Sequence, residues 1–555
     1  MPRIAVDLTP LRPGGENGGA KLLVLQLLAG FQQLAEPYEF LLVTAGWNHQ
    51  ELAEFDGPRC QRLCVLPDKT PPVRELAGNH ERLDHILHQF RQLLPTQVVS
   101  QLLPLARRVK RGLTNQLFGI KTPSPHLNRI LRTNRVDLLF CPFTAPIYAE
   151  PNIPVVSIVY DLQHRTYPQF FTPTEIVGRD TMLKLVSQKV EAIICISEYT
   201  RQMLLAHFNE IAPERTHTIH VCIHSRLESA LTTAAPLEQF GLDKRSYMFY
   251  PANFWPHKNH RLLLTAYSIL LQRRPGLDLD LVFTGALVEP EKELRLAVEK
   301  MGLTDRVHFL GYLSDEQLAA VFSGCQFIIY PSLYEGFGIP LIEAFAYGKP
   351  VLCSHITSLP EIGGDAASYF DPRKPVEIVQ AIETLLDQPQ LAETLIERGY
   401  QQLTKFDQAV MTRRYVEIFD QILQQEARNI TELIGIFPDG WLGQDVEIDY
   451  ESNPHTRTLE LSLSVPPWLP HQKITIQRQN NGHTAEKWAL SRGQTTTLRF
   501  PINPEGGYIL LNISPVFNPK EHSISNDERW LSCICRSCQI IYSDGSRKAL
   551  FEVSK

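Results

Sequence analysis

The sequence predicts an α/β chain: two doubly wound parallel-sheet domains in tandem, followed by an all-β domain. Three observations carry that prediction. Up to about residue 425, short apolar runs alternate with longer stretches whose apolar residues recur at helical spacing, as in parallel strands joined by crossover helices. The alternation restarts near residue 246, so the strands fall into two series. Beyond about residue 430 the helical spacing stops, and short alternating runs broken by Gly, Asn and Pro turns replace it. The expected domains are 1–240, 241–428 and 429–555, each within the usual size range.

The first series opens with "RIAVDL" as a strand, "TPLRPGGENGG" as turn material and "AKLLVLQLLAGFQQL" as a helix. "EFLLVTA", "VDLLFCPF", "PVVSIVYD" and "AIICIS" read as further strands. "SEYTRQMLLAHF" follows as a helix with Ser197 at its N-cap. In the second series "SYMFYPAN", "LDLVFTG", "RVHFLGY", "QFIIYPS", "KPVLCS" and "ASYFDP" are strands. Helices lie between them, at "HKNHRLLLTAYSILLQRR", "EKELRLAVEKMG" and "SDEQLAAVFSGC" (capped by Ser314), and "KPVEIVQAIETLLD" follows. In the last domain "TLELSLSV", "GYILLNIS" and "CQIIYSDGSRKALFEV" alternate as strands of a sandwich do. Ligands in doubly wound folds sit beyond the carboxyl ends of the strands, so two such domains facing each other make a cleft.

Composition narrows the function. The chain has 555 residues, 43% hydrophobic, and a formal net charge of -6, which excludes a nucleic-acid binder held by overall charge. "MPRIAVDLTPLRPGG" lacks the apolar core of a signal peptide. No uninterrupted apolar run reaches the roughly 18 residues of a membrane span. Most of the ten cysteines sit inside apolar runs, where a reduced buried thiol is expected. A soluble cytoplasmic protein is therefore expected. "SCICRSC" holds Cys533, Cys535 and Cys538. Three thiolates with a histidine could bind zinc, but no second cysteine pair lies nearby, and buried strand thiols are the other reading.

The residues with chemistry lie at four stations. In "YPSLYEGFGIPLIEAFAYGKP", Glu335 stands in the loop at a strand's carboxyl end and Glu343 one turn into the next helix. Gly336 and Gly338 keep bulk out of that loop, so backbone N–H groups can approach a ligand. Pro340 suits the first helical turn, whose free N–H groups can face an anion. Two ionised carboxylates suit a ligand with two sets of hydroxyls, such as a nucleotide sugar. An ordinary βα loop with two surface glutamates is the other reading of the spacing. In "YPANFWPHKNHRLLLTAY", Lys258 can neutralise a diphosphate. In "GGENGGAKLL", Gly18 and Gly19 open the first helix, while Gly14 and Gly15 serve loop flexibility. In "SIVYDLQHRTYPQFF", Asp161 ends a strand pointing into the cleft, with a helix-capping or loop-ordering aspartate as the other reading.

The pattern "PS-x-x-E-G-F-G-x-P-x-x-E-A-x-A-x-G-x-P-V" closely resembles the donor-site signature of the retaining glycosyltransferases of family 4, which have the GT-B fold. The order of elements from 1 to about 425 resembles that family too. The resemblance implies that Glu335 contacts donor-sugar hydroxyls and that Glu343 binds the ribose diol. It places the backbone around Phe337 and Gly338 beside the sugar. It assigns the donor phosphates to Lys258 and lets the Gly18–Gly19 loop approach them. Many members carry an arginine shortly before that lysine. Here Asn253 stands near the position, and His257 could supplement the charge. Members often have His-Asp where this chain has Tyr160 and Asp161, and His164 is out of register. "ICISEYTRQ" resembles a stretch that puts Ser197 and Arg201 on the acceptor side. The implied catalytic set is Glu335, Lys258 and Asp161, with no metal and no cofactor beyond the nucleotide-sugar substrate. The implied reaction is front-face retaining transfer of a hexose, giving an α-linkage on a glycan or lipid-linked acceptor.

From His85 to Val136 there are nine Lys/Arg and no Asp/Glu, mixed with apolar residues. That stretch could lie on anionic lipid near a lipid-linked acceptor, or be a solvated basic face. The β domain could bind glycans through its tryptophans, bind a partner, or pack on the catalytic core. An epimerase or phosphorylase of the same fold, or a sugar-binding protein without activity, are the competing functions.

Overall fold

The computed structural model describes residues 1–13, 17–33, 38–66, 130–150, 153–222, 237–285, 289–424, 433–437, 439–450, 453–480, 483–504, 507–519, 527 and 529–552. The Gly14–Gly15 pair and the 85–129 part of the basic stretch lie outside them. The chain divides into two compact units. The first is drawn from Met1–Pro72, Val136–Pro146 and Pro154–Gln424, the second from Val73–Arg135, Ile147–Ile153 and Gln425–Lys555.

The first unit holds both parallel sheets. Strands β1 (Arg3–Asp7), β2 (Glu39–Ala45), β3 (Cys60–Leu66), β4 (Leu138–Cys141), β5 (Val155–Val159), β6 (Ala192–Cys195) and β7 (Thr216–Thr218) pair in the order β3-β2-β1-β4-β5-β6-β7. Strands β8 (Tyr247–Pro251), β9 (Asp280–Thr284), β10 (Val307–Phe309), β11 (Phe327–Tyr330), β12 (Val351–Ser354) and β13 (Ala367–Phe370) pair in the order β10-β9-β8-β11-β12-β13. Every pairing in both sheets is parallel. The central strands β4, β5, β6, β9, β11 and β12 are buried along their whole length, which is why they read as continuous apolar runs. Chain order reverses between β1 and β4 and between β8 and β11. Each reversal opens a crevice at the carboxyl ends of the sheet.

Local signals set the helices that flank those crevices. Ser197 Oγ accepts from Thr200 N at 3.1 Å and starts the helix Glu198–His207. Ser314 and Gln317 form a reciprocal capping box at the helix Asp315–Gly324. Gly338, at φ +119°, turns the chain into the helix Ile339–Ala346, with Pro340 in its first turn. The helix Gln408–Gln424 returns to the first sheet, which helical spacing alone does not reveal. Its Phe419 meets Phe31 at 5.8 Å and Phe140 at 5.4 Å. At Gly30 an added Cβ would lie 2.3 Å from Thr412 Oγ1, so the first helix needs a glycine there to admit the last.

The second unit contains the β domain. One sheet runs Leu433–Ile436, Leu442–Tyr450, Gly507–Ser514, Lys473–Asn480, His483–Ser491 in spatial order; the other runs Thr495–Pro501, Thr456–Ser464, Ile534–Tyr542, Arg547–Glu552. All pairings are antiparallel, and both sheets line one core, as a sandwich requires. The cysteine cluster belongs to that core. Leu463 pairs with Cys535 and Ser462 with Ser537, so Arg536 is the extra residue of a bulge. The bulge turns both Cys535 and Cys538 inward despite their odd spacing. Burial pushes the Cys533 and Cys535 thiols up to about 12 and raises that of Cys538 too. Among the described residues no helix is long and apolar enough to cross a membrane.

Candidate functional site

The site grows from the crevice between β8 and β11. The loop after β8 carries Asn253, His257 and Lys258; the loop after β11 carries Glu335 and Gly336. Hydrogen bonds stitch the two loops together. Tyr250 Oη, on β8, donates to Lys258 O at 2.7 Å. Asn259, in the left-handed region at φ +62°, donates through Nδ2 to Pro331 O at 3.1 Å and Pro372 O at 2.7 Å. Leu333 N donates to His257 O at 2.7 Å. This framework brings Lys258 Nζ to 2.6 Å from Glu335 Oε1 and 3.1 Å from Tyr330 Oη, with side chains only 14% and 11% exposed for the ion pair.

The electrostatics follow from that burial. Burial alone pushes the Glu335 carboxyl up, but the Lys258 charge beside it and a Ser332 hydrogen bond hold it below the usual carboxylate range. Burial pushes His257 down to about 4, and the adjacent Lys258 charge adds to this. Both effects favour the neutral ring over the second cation expected of His257. Glu343 lies one turn into its helix and is 2% exposed. Asn253 follows β8 in the lysine's loop.

The first sheet's loops meet these from the other side. At Gly19 an added Cβ would come within 2.5 Å of Ile339 Cδ1, so Gly19 faces the start of the Ile339 helix, while Gly18, at φ +50°, has open space beside it. At Gly336 an added Cβ would lie 2.1 Å from Tyr160 O and 3.4 Å from Asp161 Cβ. No side chain fits between the glutamate loop and the end of β5. Asp161 Oδ1 accepts from Gln163 N at 2.9 Å and lies 3.5 Å from Arg179 Nη1. Gly338 packs under Leu359, and Phe337 is buried against Phe406.

Tyr160, Ser197, Arg201 and His164 each have hydrogen-bond partners within the fold. Tyr160 Oη donates to Pro142 O at 2.7 Å, so its main chain rather than its phenol meets the Glu335 loop. Ser197 is fully buried. Besides capping its helix it donates through Oγ to Gly336 O at 2.7 Å, with Thr200 Oγ1 at 3.3 Å from the same carbonyl. Arg201 is committed to Thr216 Oγ1 at 2.9 Å and Glu198 Oε1 at 3.1 Å. His164 is buried on Asp180 at 2.9 Å.

Sequence reasoning missed two charged groups. Arg179, on the helix Pro173–Lys189, pairs with Asp161, and its charge reaches His257. Glu361 spans the two halves of the unit. Neither has a motif around it; each is recognised only by partners far away in the chain. Chemically, the described residues of the crevice offer the Lys258 ammonium beside the Glu335 carboxylate, a helix N-terminus and two glycine-lined turns on one side, with Asp161 and Arg179 on the other. Such a set holds a polyanion at one end and hydroxyls at the other.

Two family models match the chain. One described as glycosyltransferase family 4 matches residues 17–226, and one described as glycosyl transferases group 1 matches residues 237–402. The chain is 29% identical over 252 residues to the O-antigen chain mannosyltransferase B of Escherichia coli, covering 45% of this chain and 66% of that protein. It is 28% identical over 241 residues to the MMP alpha-(1->4)-mannosyltransferase of Mycolicibacterium hassiacum, covering 43% of this chain and 53% of that protein. The chain thus spans less than two thirds of the length of either relative. The solved structure of Anabaena Alr3699/HepE in complex with UDP and glucose has a TM-score of 0.52 at 16% identity, covering 76% of this chain and 100% of the other. That likeness is one of fold.

Proposed function

The chain belongs to the glycosyltransferases of family 4, and from this and the geometry of the crevice we infer that it moves a hexose from a nucleotide sugar to a glycan or lipid-linked acceptor, with retention at the anomeric carbon. The observation that carries the reading is the buried Lys258–Glu335 pair at the β8/β11 reversal, 2.6 Å apart. Lys258 takes the donor diphosphate and Glu335 the hydroxyls of the transferred sugar. Glu343 takes the ribose, and the amides around Phe337, Gly338 and the Ile339 helix start take the remaining phosphate charge. Arg179 adds positive charge from the opposite side of Asp161. The acceptor oxygen attacks the anomeric carbon on the face the diphosphate leaves, the carbon–phosphate oxygen bond breaks, and the acceptor proton passes to the departing phosphate oxygen. The chain's own task is to stabilise the departing charge, where removal of one such donor group is worth roughly 3 to 4 kcal/mol. A chelator is expected to leave the reaction unchanged.

The names of the two relatives support mannosyl donors, and that of the first an O-antigen-type acceptor, as the first to test. The nine Lys/Arg and no Asp/Glu of residues 85–136 support an acceptor presented at the cytoplasmic face of an anionic membrane. The test is nucleotide release across UDP-, GDP-, ADP- and dTDP-sugars, with membrane extract as acceptor source. Release from one donor is expected. Binding of a donor without release would favour a sugar-binding protein, and binding of none would overturn the reading.

A further inference from the structure

Glu361 lies in the short helix Leu359–Gly363, after β12, yet its carboxylate ends on the other half of the crevice. Oε1 accepts from Glu198 N at 2.7 Å and Oε2 from Tyr199 N at 2.9 Å. These are the first two amides of the helix Glu198–His207. First-turn amides have no partner within their own helix. Here Ser197 supplies one acceptor and the opposite half of the unit supplies the rest. His220 Nε2, just past β7, is 2.7 Å from the same Oε1, and its ring packs on Phe337 at 5.9 Å and Phe406 at 5.7 Å. Burial pushes the Glu361 carboxyl up, but the His220 contact and the two amides hold it below the usual range.

The turn that bears Glu361 also holds the Glu335 loop. Ser358 Oγ donates to Glu335 O at 3.0 Å and Phe337 O at 2.7 Å, and Thr357 Oγ1 accepts from Glu335 N at 3.2 Å. One residue therefore links the donor-loop scaffold to the first turn of a helix beside Asp161. Separating the halves would strand a carboxylate and uncap two helix amides together. Charge-assisted bonds of this kind are the strong ones.

We propose that Glu361 is a positioning residue that latches the two halves of the crevice in register ahead of donor binding; the role in catalysis rests on the transfer proposed above. A donor that bridges both halves binds only the latched fraction, and its apparent affinity falls with that fraction. Glu361→Gln is expected to raise donor KM about tenfold while kcat at saturation stays within about threefold, because saturating donor restores closure. A purely structural role would do the opposite, lowering kcat through lost folded protein at unchanged KM.

The second readout needs no turnover. Amide hydrogen exchange at Glu198 and Tyr199 is expected to speed up about tenfold or more in free Glu361→Gln, and to slow again when a nucleoside diphosphate (UDP, GDP, ADP or dTDP) saturates the protein. If no donor is turned over, the transfer reading fails while exchange in the free protein still decides the latch. His220→Ala removes one partner and leaves both amide bonds, so a smaller change in the same direction is expected. It also decides the matter should Glu361→Gln fail to fold. Unchanged exchange in the variants, or kcat lost at constant KM, would overturn the latch.

Discussion

Lys258 and Glu335 neutralise each other across 2.6 Å in a site that shields both. Removing either leaves the other charge buried and alone, a loss of about 3 to 5 kcal/mol in comparable pairs. Activity lost in such variants must therefore be read beside their melting temperatures. The glycines divide by what stands opposite. Gly336→Ala drives a Cβ to 2.1 Å from the Tyr160 carbonyl, a main-chain atom that cannot swing aside, whereas Gly19→Ala meets only the end of Ile339. Gly336→Ala is expected to lose at least tenfold in nucleotide release, roughly 1.4 kcal/mol, and Gly19→Ala to keep most of it; a steady-state assay of both checks this. His260 sits among Tyr250, Phe254 and Phe283 at 4.7, 4.8 and 5.1 Å and is 3% exposed. Burial pushes its ring down to about 3, with the Lys258 charge adding to this. The unfolded chain therefore binds a proton that the folded chain refuses between the ordinary value of 6.5 and about 3. Stability is full above that window and falls as pH drops through it, by up to about 1.4 kcal/mol per pH unit from this group. Urea unfolding of the wild type and His260→Phe at pH 6 and about pH 4.5 should show a shallower pH slope in the variant.

At the scale of elements, the strands and their caps were legible because their causes are local. Ser197 and Ser314 cap where their sequence position says they do, and the buried strands read as apolar runs. The Glu335 loop was legible for the same reason: a strand end, two glycines and a helix start are consecutive in the chain. What stayed hidden depends on partners far away in sequence. Glu361 in "SLPEIGG" reads as a first-turn glutamate of a short helix, and nothing in that stretch points to residues 198 and 199. Tyr160 and Arg201 likewise find their partners in Pro142 and Thr216, outside the stretches that carry them. Cys535 and Cys538, at odd spacing, share a face only because the strand bulges at Arg536, which pairing with a distant strand reveals. Their burial has a direct consequence. Of the ten cysteines only Cys64 is exposed, so a thiol reagent should titrate one group rapidly in the native protein and ten in denaturant, without a change on adding a chelator. A native count well above one would contradict the buried cluster.

For the whole molecule, the two parallel sheets are one compact unit because the last helix returns to the first and because Ser197, Thr200, Glu361 and His220 hold the halves across the crevice. The crevice is thereby a defined space, with a cation and a carboxylate on one wall and Asp161 with Arg179 on the other. The central claim is that this space holds a nucleotide sugar whose departing diphosphate Lys258 stabilises. The most direct test is single-turnover nucleotide release at saturating donor, in wild type, Lys258→Ala and Glu335→Gln, each shown folded at the assay temperature. Release in the wild type, slowed by roughly 10²- to 10³-fold in Lys258→Ala as for loss of one charge-stabilising donor and similarly impaired in Glu335→Gln, is the predicted result. Folded Lys258→Ala that releases nucleotide at the wild-type rate would contradict it.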